Sequence, residues 1–175
     1  MGDNMNRIKS FEIASFFFAS IVGTLLHFVY EWTNESAITA LIAPVNESVF
    51  EHLKLTFVPL AIFAVFEYFF IGKIHSGFLC VKAKSILLSI LSVIVLYYTY
   101  TGIIGKNYMI PDVLIFYFSI LISTLYFVKN YKPNENKNLL GILILILVWI
   151  IFIVFTFSTP HINLFLDPRG FYGIK

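Results

Sequence analysis

Histidine and carboxylate side chains recur at helical spacing in two short stretches of this sequence. Ser20, Thr24, His27 and Glu31 follow one another at intervals of four, three and four, which places them on one face of a helix. Glu47, Glu51 and Lys54 form a second such face, with His52 about 100° further round from Glu51. Imidazole nitrogens and carboxylate oxygens are an ordinary donor set for zinc and related divalent metals, and one helical turn between His27 and Glu31 suits a shared ion. With His161 as a third nitrogen ligand beside His27 and His52, a metal would keep one position open for water, whose pKa it can lower to about 7. Glu31, Glu47 or Glu51 would serve as ligand or general base, and Asp167 as a group that orients a ligand.

Each of these residues also has a plainer reading. Ser48-Val49-Phe50-Glu51 fits a capping box, in which Ser48 accepts from the amide of Glu51 and the Glu51 side chain returns to the amide of Ser48. Glu51 and Lys54 are spaced for an ion pair, and Tyr30 and Trp32 are placed as aromatic anchors at a membrane interface. His27 lies one turn inside an apolar run, where a polar side chain needs a partner. Glu67 sits about 20 Å along its helix from His52. It is expected to snorkel or pair locally, or else to mark a proton or ion route in the company of Tyr68, Tyr97, Tyr98 and Tyr100.

The elements that must hold these groups follow from composition. The 175 residues are 59% hydrophobic and 13% charged, with a mean hydropathy of +0.86, whereas soluble domains are roughly 45–50% apolar and about 25% charged. A soluble globular domain and a disordered chain are thereby excluded. Nucleic acid is excluded as a partner, because 12 basic and 10 acidic residues supply no basic stripe. A bilayer core needs roughly 20 apolar residues per helix, and five stretches qualify, near 13–31, 50–72, 85–105, 111–128 and 139–158. The expected fold is an all-α, polytopic membrane bundle of about five transmembrane helices, one integral membrane domain over residues 1–175 of a multi-pass cell-membrane protein. Arg7, Lys9, Lys73, Lys82, Lys84, Lys129, Lys132 and Lys137, eight of the 12 basic residues, fall on one side, which places the N-terminus in and the C-terminus out. Lys54, Lys106, Arg169 and Lys175 are left outside.

On that reading the ionisable groups concentrate at the outer face, where His27, Glu31, Glu35, Glu47, Glu51, His52, Asp112, His161 and Asp167 fall, and His75 is inside. The lone Cys80 has no internal disulfide partner and lies in the basic inner segment. Residues 37–45 are apolar but too short to cross, which predicts a re-entrant or interfacial segment. Pro59 is placed to kink the second helix, and 129–137 reads as a polar inner turn. Residues 159–175 are too apolar for a free tail; with a turn at Asp167-Pro168-Arg169-Gly170 they form a lid that brings His161 and Asp167 towards His27 and His52. No internal repeat is present.

His27-Phe-Val-Tyr30-Glu31-Trp32, Asn46-Glu47-Ser48-Val49-Phe50-Glu51-His52-Leu53-Lys54 and the C-terminal blocks Pro160-His161, Asp167-Pro168 and Tyr172-Gly173 resemble the signature blocks of a family of small bacterial integral membrane proteins grouped as a domain of unknown function. The resemblance spans nearly the whole chain and implies a compact helical membrane domain without an established activity. A weaker local similarity joins Asn46-Glu47-Ser48 and His52-Leu53 to the second helix of the progestin and adiponectin receptor family, related to alkaline ceramidases. There the residue matching His52 helps to bind a zinc ion that supports lipid-amide hydrolysis. This chain departs from that family in having five spans rather than seven and no late H-x-x-x-H pair.

Three functions are compatible with these residues. The first is a metal-dependent hydrolase or transferase acting on lipid at the outer face, with His27, His52 and His161 as ligands of zinc or another divalent metal. The second is a protein that binds or transports a solute, ion or lipid headgroup, using the same carboxylates with Lys54 and Arg169 for anions and Glu67 for passage. The third is a scaffold whose polar residues cap helices and tie the tail down.

Overall fold

The computed structural model describes residues 2–72, 77–132 and 138–174. Five helices make up the bundle: α1 (Gly2–Trp32), α2 (Val49–Phe70), α3 (Phe78–Ile104), α4 (Met109–Asn130) and α5 (Asn138–Phe157). All are long and apolar enough to cross a membrane, and no strand occurs among the described residues. Their outward faces are apolar, as Leu143, Leu147, Ile150 and Val154 on α5 show. Such surface is costly in water and suits lipid.

α2 is the central helix, packed on α1 and α3 and more lightly on α4 and α5. Its core contacts run from Phe50 through Leu53, Phe57 and Leu60 to Ala64. The helix passes through Pro59 without ending. Because proline has no amide hydrogen, the carbonyl of Leu55 loses its helical donor. That carbonyl faces Gly23 of α1, where an added Cβ would stand 2.4 Å from it. Glycine at this crossing lets the two backbones approach, as small residues do between membrane helices. Gly141 does the same for α5 against Leu79 at the start of α3.

Two boundaries differ from the charge-based expectation. α1 begins well before residue 13, so that Glu12 is helical and 2% exposed, and α3 begins at Phe78 rather than 85, so that Lys82 is helical and 1% exposed. Charge marks the end of a span only when it must reach water, and these two groups pair with each other instead. Tyr30 is likewise no interfacial anchor but part of the core, whereas Trp32 is exposed. Lys73, His75, Pro133, Lys137 and Lys175 lie outside the described residues.

The connection from α1 to α2 contains one 3-10 turn, Thr39–Leu41. Trp149 Nε1 donates to the carbonyl of Leu41 at 3.0 Å, and Trp149 lies eight residues, about 12 Å, below the end of α5. The connection therefore folds back along the bundle. After α5 the chain makes a second 3-10 turn at Asn163–Phe165, sets Phe165 4.3 Å from the Phe50 ring, and reverses through the amide of Gly170, which donates to Asp167 O at 2.8 Å. Leu166 and Tyr172 pair across that turn.

Candidate functional site

The end of the bundle formed by the α1–α2 connection and the tail gathers His27, Glu47 and His52. One ligand atom from each lies within 4.8 Å of the others. Glu47 carboxylate oxygens stand 3.4 Å from His52 Nε2 and 3.9 Å from His27 Nε2, and the imidazole rings are 5.3 Å apart between centroids. α1 presents His27 one turn before its end, through the predicted polar stripe. In that stripe Thr24 meets Tyr117 of α4 at 3.1 Å, His27 faces His52, and Glu31 remains exposed.

The first turn of α2 sets the orientation of His52. Its Nδ1 lies 2.9 Å from the carbonyl of Ser48. A carbonyl only accepts, so Nδ1 carries the proton and Nε2 turns a lone pair towards Glu47. A lone pair facing a carboxylate at 3.4 Å repels it unless a proton or a cation lies between them. With a proton on Nε2, the resulting hydrogen bond from His52 is the largest cause holding the Glu47 carboxyl below its ordinary range, against the opposing effect of burial.

Glu47 is placed from behind by the tail. Its amide donates to Asp167 Oδ2 at 2.9 Å, and the neighbouring Asn46 Nδ2 donates to the carbonyl of Gly173 at 2.9 Å. Asp167 is fully buried and accepts from the amide, Nε and Nη2 of Arg169 at 2.8–2.9 Å. These Arg169 hydrogen bonds, followed by the backbone donors, outweigh burial and bring its carboxyl down to about 2. Asp167 thus acts on the site through the backbone of Glu47. A cavity of ≈ 40 Å³ adjoins the cluster, with Glu31 and Arg169 among its lining residues.

His161 is not in this group. It is exposed, packs against Tyr172 with ring centroids 4.7 Å apart, and lines a separate cavity of ≈ 260 Å³ with Thr156, Thr159 and Gly173. The tail docks by Phe165 and Asp167, and His161 precedes its 3-10 turn.

Glu51 and Lys54 are both buried. Lys54 Nζ donates to Glu51 Oε2 and Thr156 Oγ1 at 2.7 Å, to Ala40 O at 2.9 Å and to Ala43 O at 3.3 Å. Ser48 Oγ does accept from the amide of Glu51 at 3.4 Å, but the reciprocal half of the capping box is absent. Asn46 Oδ1 takes the amide of Ser48 at 2.9 Å, and Glu51 Oε2 takes the amide of Val45 at 3.0 Å. The longer reach of Glu51 is drawn off by the buried ammonium. Thr156, a polar residue at the end of the most apolar run, was the missed member of this network.

Glu67 neither snorkels nor joins the tyrosines of α3. It is fully buried and meets Lys82 at 2.6 Å, whereas Tyr100 lies at the opposite end of α3, where its hydroxyl donates to Asp112. A family model described as a family of unknown function (DUF6512) matches residues 2–174. No curated protein and no solved structure matches the chain.

Proposed function

The chain belongs to this family of unknown function, DUF6512, and from that premise we propose that it is a membrane protein whose His27, Glu47 and His52 hold a divalent transition metal, zinc above all, for hydrolysis of a lipid-borne ester or amide at the outer face. The observation that carries this reading is the commitment of His52 Nδ1 to Ser48 O. It leaves two imidazole nitrogens and a carboxylate converging on one point. Donors around a tetrahedral zinc are separated by about 3.4 Å, given bonds of about 2.0–2.1 Å; here the two Glu47 oxygens stand 3.4 Å from His52 and 3.9 Å from His27, and the three ligand atoms lie within 4.8 Å of one another. His27, Glu47 and His52 would hold the ion, and a zinc ion held by three protein ligands would supply a Lewis acid for an acyl oxygen.

The remaining roles follow from position. Glu31, exposed one turn after His27, is the general base. Arg169, exposed at the rim of the adjoining cavity, attracts an anionic headgroup. Asp167 is a positioning residue for Glu47. The ≈ 40 Å³ cavity has room for an ion and a few waters but not for a lipid, which approaches from the membrane.

Elemental analysis of the purified full chain tests the reading. One equivalent of zinc or another divalent metal is expected in the wild type and in His161→Ala, and less than a tenth of that in His27→Ala and His52→Ala. The reading fails if the wild type carries no stoichiometric metal after purification without chelator and reloading with zinc. With the metal in place, hydrolysis of lipid esters or amides should vanish on chelation and return on reloading; a metal-loaded protein inert to both classes would leave the binding site and remove the hydrolase.

A further inference from the structure

The opposite end of the bundle holds a second set of ionisable groups, unconnected with the metal reading. Glu12 of α1, Glu67 of α2 and Lys82 of α3 are 2%, 0% and 1% exposed. Lys82 Nζ is 2.7 Å from Glu12 Oε1 and 2.6 Å from Glu67 Oε2, with the Phe127 ring of α4 5.0 Å from the ammonium. α5 carries no ionisable side chain, and Arg7, Lys9, Lys84 and Lys129 are exposed. Among the described residues, the charge at this point is therefore set by two carboxyl groups and one ammonium.

Ionised throughout, the triad would hold an uncompensated negative charge inside the span, which is costly in lipid. A single proton on the carboxyl pair removes it, since two adjacent carboxylates do not both ionise readily. The geometry agrees. Both carboxyl groups converge on one ammonium, at 2.7 and 2.6 Å, and Glu67 Oε1 is buried without a hydrogen-bond donor, a vacancy that a proton on the pair would fill. The site is also close to an exit. Glu67 lies three residues before the end of α2 and Lys82 four after the start of α3, about 4.5 and 6 Å inside the bundle. From there Ser15, one turn beyond Glu12, and Ser89, two turns beyond Lys82, continue inward as buried hydroxyls without protein partners. Such groups take up water or relay a proton.

We propose that Glu12, Glu67 and Lys82 form a proton-binding site, in which the two carboxyl groups share one exchangeable proton at neutral pH, taken from water at the end of the bundle where α2 leads into α3. The proton adds to a carboxylate oxygen and leaves by the same route, so no other reactant is needed.

Infrared spectroscopy of the full chain in lipid nanodiscs reads this directly, because the carbonyl stretch of a protonated carboxyl group is resolved from carboxylate bands and shifts in heavy water. One such group per chain is expected in the wild type at neutral pH. It should be lost in Glu12→Gln and in Glu67→Gln, each of which leaves one carboxylate for one ammonium, and should double in Lys82→Met. Fluorescence of Trp32 and Trp149 checks that each variant is folded, and the wild-type band stands even where a variant is not. A wild type with no protonated carboxyl at neutral pH, or a band unchanged in both glutamine variants, overturns the proposal. So does a band that disappears when sodium replaces potassium at fixed pH, which would make the ligand a metal cation.

Discussion

Replacing Lys54 by Met separates what holds the candidate site from what the site does. Lys54 is fully buried, and the three N–H groups of its ammonium are shared among four acceptors, on Glu51, Thr156, Ala40 and Ala43. Methionine of similar length fills the space but leaves the Glu51 carboxylate buried with no counter-charge and two carbonyls without their donor. Breaking a buried pair from one side costs about 3–5 kcal/mol, equivalent to a drop of about 150- to 5,000-fold in the folding constant. Adding Glu51→Gln removes the stranded charge while keeping an acceptor for the Val45 amide, so the double variant should recover about 2 kcal/mol or more. Unfolding in mixed micelles, followed by the fluorescence of Trp149 where it bonds Leu41, measures both. A single-variant cost below about 1 kcal/mol, or strictly additive effects in the cycle, would refute the view that this network fastens the connection from which Glu47 projects.

Further outcomes can be checked independently. The Asp167 carboxyl titrates at about 2 in the folded chain against 3.8 ordinarily, so its stabilisation of the tail is complete above about pH 5, declines as pH falls through 3.8 and 2, and is gone below. Its size is on the order of 1 kcal/mol, allowing for solvent at the exposed Arg169. Amide exchange at Glu47 and Arg169 should accelerate over that window, and Asp167→Asn should remove the pH dependence and lower protection at neutral pH. Gly23→Ala should cost about 1–3 kcal/mol by overpacking against Leu55 and Phe116, while Gly102→Ala, with nothing within 4 Å, stays within about 0.5 kcal/mol of the wild type; mixed-micelle unfolding reads both. Nitrogen NMR of ring-labelled histidine should find His52 protonated at Nδ1 with or without metal, and a His52 protonated only at Nε2 would remove the basis for the metal site.

The spans were legible because lipid imposes a length and a composition on every crossing segment. Their ends were misjudged where a charge was neutralised by another helix, as at Glu12 and Lys82, whose positions 70 residues apart carry no local sign of each other. The site was legible to the same extent. His27, Glu47 and His52 stood out through spacing within single turns, and the Asn-Glu-Ser start of α2 indicated a cap. Which acceptor each side chain finds depended on distant partners, Thr156 for Lys54 and the tail for Glu47. Hence the capping box is only half formed, and His161, equal to the other histidines in composition, stands apart from them.

The bonds from Asp167 and Gly173 to residues 46 and 47 span 120 and 127 positions, which gives the candidate site a temporal order during synthesis. At about 5–20 residues per second, Glu47 leaves the ribosome roughly 6–24 s before the carboxylate that orients its backbone. The helices that bear His27 and His52 are made while the loop between them is untethered, and the three side chains of the candidate site acquire their spacing only after α5 and the strap behind it are in place. A nascent or truncated chain would therefore present spans without the assembled candidate site. Under the proposed metal reading, ion loading would report that assembly is finished rather than guide it.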